Sequence, residues 1–218
     1  MMATARRQGL MWFREALEDG RRDDADVALF RLLYGLSAEV QIGLARDMTA
    51  RFLPIFRANH PDVDWPVKVL DDLDAHFREH EQGLPEEPPD CSGGDPAFMY
   101  ALYALLRALS YAKQGELPRV TPACCTALAQ ATHARARNVW HADDPEAVQA
   151  FDDDDWERLH GRSMHDNVAA QAVRKREWLL VADWLEARVA AEALDAPVMD
   201  EPACEQWLAW WQERAGNL

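Results

Sequence analysis

The sequence lacks long apolar runs. No stretch of about 18 uninterrupted apolar residues occurs, as a membrane-spanning helix would need. The first residues include Glu15, Glu18 and Asp19, where a secretion signal would carry an apolar stretch and a small-residue cleavage site. We therefore expect a cytoplasmic protein that does not act on a membrane.

Cysteine is scarce, and its spacing does not indicate a metal site. The four cysteines, Cys91, Cys124, Cys125 and Cys204, form neither a C-x-x-C knuckle nor the spacing of a disulfide framework. Free thiols in a reducing compartment fit this pattern. The sequence also lacks a phosphate-binding loop of the G-x-x-x-x-G-K-[ST] type and a G-x-S-x-G nucleophile elbow. Nothing in it therefore indicates a cofactor.

Acidic residues are in excess, and the excess is concentrated in two places. The chain has 38 Asp and Glu against 23 Lys and Arg, a net charge of −15. Such a field repels nucleic acid and anionic membranes. Residues 62–90, the first acidic segment, carry ten acids and two bases; residues 141–160, the second acidic segment, carry eight acids and one base. These two segments account for the whole net charge.

Proline close behind a capping residue marks several helix starts. An Asp or Thr side chain accepts a hydrogen bond from a free backbone N–H, and proline fits the first turn because its missing N–H has no partner there. The pattern occurs at Asp64 with Pro66, Asp95 with Pro96, Thr121 with Pro122, Asp144 with Pro145 and Asp200 with Pro202. Upstream, helices are predicted over about 6–19, 24–34 and 37–58.

Apolar residues recur at helical spacing, and no strand-like alternation occurs. One stripe runs from Val40 to Phe56, and Pro54 should bend its helix. A long helix is predicted from Ser163 to Leu194, with Trp178, Val181, Trp184 and Leu185 in the core. The sequence thus predicts an all-α protein, a single-domain helical bundle or array of about eight to nine helices. Its halves, 1–82 and 96–218, would pack together around a Pro/Gly-rich joint near 83–96.

The segment from Leu44 to Arg78 resembles the helical signature of small bacterial immunity proteins of polymorphic toxin systems, and of related helical families. Leu53, Pro54, Ile55 and Phe56 match the end of an Ala/Arg-rich helix, and HPDVDWP matches the turn before an acidic second helix. The resemblance implies a non-catalytic inhibitor that binds a cognate toxin. Because many such toxins act on nucleic acids and are basic, an acidic inhibitor would be steered to them.

We expect the two acidic segments to be the docking faces for such a basic protein. Trp156, beside four consecutive aspartates, is a candidate anchor, although a core position is its alternative role. The aspartates have an alternative as a solvated first turn of a helix, where the macrodipole favours acids, and a lesser one as a metal site. The predicted partner-binding residues are Asp71, Asp72, Asp74, Glu79, Asp143, Asp144, Asp152, Asp153, Asp154, Asp155, Trp156 and Glu157.

Two histidine patterns offer a different reading as a metal-dependent hydrolase. His76 and His80 are four residues apart, a spacing at which two imidazoles on one helix face can share a metal. His133, His165, Asp166 and Asp183 follow the order used by phosphohydrolases of the HD superfamily, which they resemble in this respect alone. A helical adaptor or scaffold is the third possibility. Neither a catalytic nor a metal residue is predicted under the first reading.

Overall fold

The structure is a computed structural model that describes residues 2–73, 75, 91–152, 154, 158 and 161–191. Within these ranges the chain forms helices and no strand, which confirms the all-α prediction. The helices whose bounds fall in the described residues are α1 (Met2–Glu18), α2 (Arg22–Tyr34), α3 (Ala38–Ala50), α4 (Leu53–Asn59), α5 (Trp65–Asp71), α6 (Asp95–Lys113), α7 (Leu117–Asp143), α8 (Pro145–Asp152) and α9 (Val168–Ala191). No helix in the described part of the chain is both long and apolar enough to cross a bilayer.

The predicted helix over 37–58 is two helices. Ser37 caps its start as expected, because its side chain accepts a hydrogen bond from the N–H of Val40. The helix ends at Ala50, and α4 begins at Leu53 with Pro54 in its first turn. A continuous helix would have left the carbonyl of Ala50 without its backbone donor at Pro54, so the chain breaks instead of bending.

The start predicted at Thr121 is wrong. Helix α7 begins four residues earlier, at Leu117, with Pro118 in its first turn, and Pro122 lies inside the helix. The helix tolerates Pro122 because only one backbone bond, to the carbonyl of Pro118, is lost near its N-terminus. Thr121 is buried and serves as part of the helix body. The starts at Asp64, Asp95 and Asp144 fall within one residue of α5, α6 and α8, while Asp200 lies outside the described residues.

Helix α9 begins later than the predicted Ser163. The residues before it form a turn in which the hydroxyl of Ser163 donates to Asp166 at 2.6 Å. Asn167 then caps the helix, since its side-chain oxygen accepts from the N–H of Ala170 at 2.7 Å. Of the four residues predicted to lie in the core, Trp178, Val181 and Leu185 are buried, and Trp184 is half-buried against the core.

The main core lies among α1, α2, α3, α6, α7 and α9. Helices α6 and α7 form an antiparallel pair, and α7 also packs against α2, α3 and α9. The buried face of α7 is rich in small residues, with Ala123, Ala127, Ala131 and Ala134, which lets neighbouring helices approach closely. Several buried phenylalanines fill the space between the helices. Their packing holds the helices in place relative to one another, and this determines where the helix ends lie.

A second, smaller core cluster lies beside the second acidic segment. It consists of Ala136, Trp140, Ala147, Val148, Ala150, Met164 and Ala170. The indole N–H of Trp140 donates to the carbonyl of Arg162 at 3.0 Å. The ring of Phe151 meets Trp140 edge-on at 5.9 Å. This cluster holds α8 and the turn before α9 against the C-terminal part of α7.

Candidate functional site

The loop from Ser92 to Asp95 packs unusually close to its neighbours. Gly93 has a φ of 54°, a left-handed conformation that favours glycine. A Cβ on Gly94 would lie 2.2 Å from the carbonyl oxygen of Ala134 and 2.6 Å from the ring of Phe52. No other residue type fits at Gly94 without displacing α7 or Phe52. The two glycines therefore bring the start of α6 into direct contact with α7.

Asp95 connects this loop to the end of α4. Its carboxylate is fully buried and lies 3.0 Å from Nε2 of His60. The side-chain amide of Asn59 donates to both carboxylate oxygens, at 3.2 and 3.3 Å. Because a buried carboxylate without such partners is costly, the three side chains fix the turn after α4 beside the loop. The sequence indicated Asp95 only as a helix cap, and nothing in its spacing pointed to His60.

The same loop also contacts the start of the second acidic segment. A Cβ on Gly93 would lie 3.3 Å from the side chain of His141 and 3.5 Å from Oδ1 of Asn138. The first acidic segment begins two residues after His60, which is bonded to Asp95. The two segments therefore begin on either side of one loop.

The carboxylates of the two acidic segments differ in how much of their charge is offset by partners within the chain. Asp62, Asp71 and Asp143 are exposed. Asp143 accepts one hydrogen bond, from the side-chain amide of Asn167 at 3.1 Å. Asp72, also exposed, accepts from the N–H of Ala75 at 2.8 Å. Neither bond comes from a cationic side chain, so neither one is an ion pair.

Two of the predicted docking residues are engaged in ion pairs within the chain. Asp144 accepts from Nε of Arg162 at 2.8 Å and from Nη2 of the same guanidinium, and these hydrogen bonds lower the pKa of its carboxyl. Asp144 also accepts from the N–H of Ala147 at 3.1 Å, which caps α8. Its charge is therefore partly neutralised at its place in the fold.

Asp152 lies at the last residue of α8, so it is not in the first turn of a helix. A carboxylate at a helix C-terminus is disfavoured by the macrodipole. The buried Arg137 offsets this, since its Nη2 donates to both oxygens of Asp152, the longer bond being 2.6 Å. The guanidinium of Arg137 also lies 5.6 Å from the centre of the Phe151 ring. Asp154 is exposed and has a φ of 54°.

The other predicted partner-binding residues lie outside the described part of the chain. They are Asp74, Glu79, Asp153, Asp155, Trp156 and Glu157, and the histidine pair His76 and His80 lies outside it as well.

The four residues of the hydrolase reading are not brought together as ligands. Asp183 pairs with Arg14 on α1 at 2.6 Å. Asp166 accepts from the N–H and the hydroxyl of Ser163. Among the described residues, no group of three or more His, Cys, Asp and Glu side chains is placed to hold a metal ion.

His133 lies in surroundings that oppose a bound cation. Burial and the positive charges of Arg174, Arg137 and Arg22 lower the pKa of its imidazole to about 4. The same field repels a divalent metal. His133 is therefore neutral at neutral pH, and its neighbours do not form the carboxylate-rich site of a metal-dependent hydrolase.

Comparison of the chain with protein-family models, with curated proteins and with solved structures finds no match.

Proposed function

We propose that this chain is a non-catalytic binding protein that docks a basic protein. The docking surface would be its acidic end, by which we mean the exposed carboxylates of the two acidic segments, among them Asp62, Asp71 and Asp143. We further propose that the partner is a toxin, which the chain holds inactive. The observation that carries the proposal is that the two acidic segments both begin beside the loop containing Gly93 and Asp95. The starts of two segments that are far apart in the sequence thereby lie close to one another, so a single partner could meet both.

The charge of such a surface mainly affects how fast a partner associates with it. Long-range attraction between an acidic and a basic surface speeds association by orders of magnitude at low salt, and the gain falls as salt screens it. The exposed Asp62, Asp71 and Asp143 supply this field. Asp144 and Asp152 contribute less, because Arg162 and Arg137 neutralise them locally. Their role under this proposal is to hold α8 and its neighbours in place.

A shallow depression on α4 supplies apolar surface beside the acidic end. It is lined by Leu53, Pro54, Arg57 and Ala58, in the helix that leads directly to Asn59 and His60. Docking surfaces commonly combine an apolar centre with a charged rim. The depression overlaps the Leu-Pro-Ile-Phe stretch on which the resemblance to immunity proteins rests.

The test begins with photo-crosslinking. A crosslinking amino acid at position 62 or 143, in the chain expressed in its native host, would identify the partner that reaches this end. A second one at position 39, an exposed residue at the start of α3, serves as the control. We expect a basic protein that is captured from 62 and 143 but not from 39.

Association rates with the purified partner then test whether the exposed carboxylates speed binding. Replacing Asp62, Asp71 and Asp143 by Asn should slow association at low salt and flatten its salt dependence. A matched variant removes the same charge elsewhere, at exposed positions, through Glu15→Gln, Glu18→Gln and Glu39→Gln. Equal rates and salt slopes for the two triple variants would eliminate the acidic end as the docking surface. An inhibition assay of the partner's own activity distinguishes an immunity protein from a scaffold.

A further inference from the structure

Asn167 connects the end of α7 to the start of α9 through both ends of its side-chain amide. The amide oxygen accepts from the N–H of Ala170 at 2.7 Å and so caps α9. The amide nitrogen donates to Oδ2 of Asp143 at 3.1 Å. Because only the oxygen can accept from a backbone N–H, the cap leaves the NH2 group facing Asp143.

The backbone of Asn167 is held in place by its neighbours. Its carbonyl accepts from the N–H of Gln171 at 3.0 Å, and Nε2 of Gln171 donates to the carbonyl of Met164 at 2.9 Å. Met164 and Ala170 both belong to the smaller core cluster beside the second acidic segment. The amide that donates to Asp143 therefore projects from a packed part of the fold.

Asp143 is held in this way without an ion pair. It is the last residue of α7, a helix of 27 residues, where the helix macrodipole disfavours a carboxylate. The next residue, Asp144, pairs with Arg162, and Asp152 at the end of α8 pairs with Arg137. Among the described residues, no cationic side chain pairs with the exposed Asp143. A cation from outside the chain would therefore relieve a charge that is unfavourably placed in the free protein.

We propose that Asp143 binds an arginine of the basic partner, and that Asn167 is the positioning residue that orients the Asp143 carboxylate for this contact. The proposal rests on the docking function proposed above and deepens it, since Asp143 would act at short range and not only through its field. One hydrogen bond at Oδ2 leaves Oδ1 and further lone pairs of the carboxylate for a guanidinium.

The fixed orientation of the carboxylate favours arginine over lysine. The planar, rigid donors of a guanidinium match a carboxylate that is held in one orientation, whereas the compact ammonium of a lysine gains little from it. A carboxylate that is already oriented also loses less freedom when the partner docks. Asn167 would therefore contribute to the affinity for a partner that it does not itself contact.

Two substitutions of Asn167 separate orientation from charge. Asn167→Asp keeps an equally good helix cap but replaces the donor by a carboxylate that repels Asp143. Asn167→Ser also keeps a capping oxygen and removes the NH2 group without adding charge. If Asp143 acted only through its field, the added negative charge of Asn167→Asp would strengthen the binding of a cationic ligand. If Asp143 must be oriented, the same substitution weakens binding.

A hexa-arginine peptide is the probe, and a hexa-lysine peptide is its reference. Nuclear magnetic resonance of the full chain follows the backbone amide of Asp143 as each peptide is added at constant ionic strength. We expect a saturable response with tighter binding of hexa-arginine, weakened by about threefold or more in Asn167→Ser and in Asn167→Asp. Ala142→Glu is the matched control, because it adds the same charge next to Asp143 at an exposed position of α7 and leaves Asn167 in place. It should bind hexa-arginine at least as tightly as the unmodified chain.

Several outcomes would overturn the role of Asn167. No response at Asp143 to either peptide would refute the contact, and equal affinities for the two peptides would refute the choice of arginine. Tighter binding in Asn167→Asp, as in Ala142→Glu, would show that net charge alone matters. An unchanged affinity in Asn167→Ser would mean that Asp143 needs no orienting, and this variant keeps the test decisive should Asn167→Asp fail to fold. The docking proposal fails separately, through equal association rates of the partner with the two triple variants described above.

Discussion

The buried carboxylate of Asp95 lies 3.0 Å from Nε2 of His60, a residue 35 positions earlier in the chain. The pair joins the turn after α4 to the start of α6, and the amide of Asn59 completes it. Because Asp95 is next to Gly94 and close to Gly93, the same pair also determines where the first acidic segment begins relative to the second. A buried polar cluster thus positions the proposed docking end.

Asp95→Ala should destabilise the protein by about 3 kcal/mol, because His60 and Asn59 would be left without their buried acceptor. Urea unfolding followed by circular dichroism measures the loss. Asp64→Ala is the control: Asp64 is exposed and pairs with Lys68 at the surface, so its removal should change stability far less than Asp95→Ala does. Similar losses in the two variants would contradict the role given to Asp95.

Gly94→Ala should cost about 1–3 kcal/mol, since its Cβ would overlap the carbonyl of Ala134 and the ring of Phe52. Gly43→Ala, in the middle of α3, is the matched variant, because a Cβ there meets nothing within 4 Å. Alanine has the higher helix propensity, so Gly43→Ala should stabilise the protein by up to about 1 kcal/mol. Thermal unfolding of both variants checks the opposite signs, and a stabilising Gly94→Ala would show that the close packing is misplaced.

Glu177→Ala should be strongly destabilising. Its buried carboxylate accepts from Nε of Arg51 at 2.8 Å and lies 3.5 Å from Nε of Arg135. Removing it would leave two neighbouring guanidinium groups without their shared anion, at a cost of about 3 kcal/mol. Glu186→Ala removes an exposed partner of Arg14 and should cost less than about 1 kcal/mol. Chemical denaturation of both variants at one pH makes the comparison, and equal losses would refute it.

The low pKa of His133 should make the protein less stable in mild acid. The folded state holds the proton more weakly than the unfolded chain, whose imidazole titrates near 6.5. Stability from this residue is therefore intact above about pH 6.5 and is lost as the pH falls towards 4. The loss should be about 2 kcal/mol, allowing for the partial exposure of the ring.

Unfolding of the unmodified chain and of His133→Gln, measured from pH 7 to pH 4.5, isolates this contribution. The variant should lose less stability over that range. Parallel pH profiles for the two proteins would mean that His133 has an ordinary pKa in the fold.

Local sequence chemistry predicted much of the fold. Capping at Ser37 and Asp144 depends on residues only three positions apart, so both were visible in the sequence. Thr121 with Pro122 misled for a related reason: the same local pattern is compatible with the interior of a helix that has already begun at Leu117. A local sequence pattern identifies a favourable helix start, but it does not decide between two neighbouring candidate starts.

The arrangement of the site could not be predicted in the same way. The partners of Asp95, Asp152 and Glu177 are set by how helices pack, and no local pattern records that Glu177 meets Arg51, 126 residues earlier. The sequence showed where the acids are concentrated but not which of them are neutralised. From the sequence, Asp152 was as good a candidate for partner binding as Asp143, although the carboxylate of Asp152 accepts hydrogen bonds from Arg137.

The small cluster around Trp140 is joined to the main core through α7 and α9, and its α8 members are alanines and one valine. These small side chains bury little apolar area. The free energy of local unfolding should therefore be lower for α8 than for α6, whose buried face carries phenylalanine, methionine and leucine. Amide hydrogens in α8 should therefore exchange with deuterium well before those in α6. Under the docking proposal, α8 would adapt its shape to an incoming protein while α6 keeps its form.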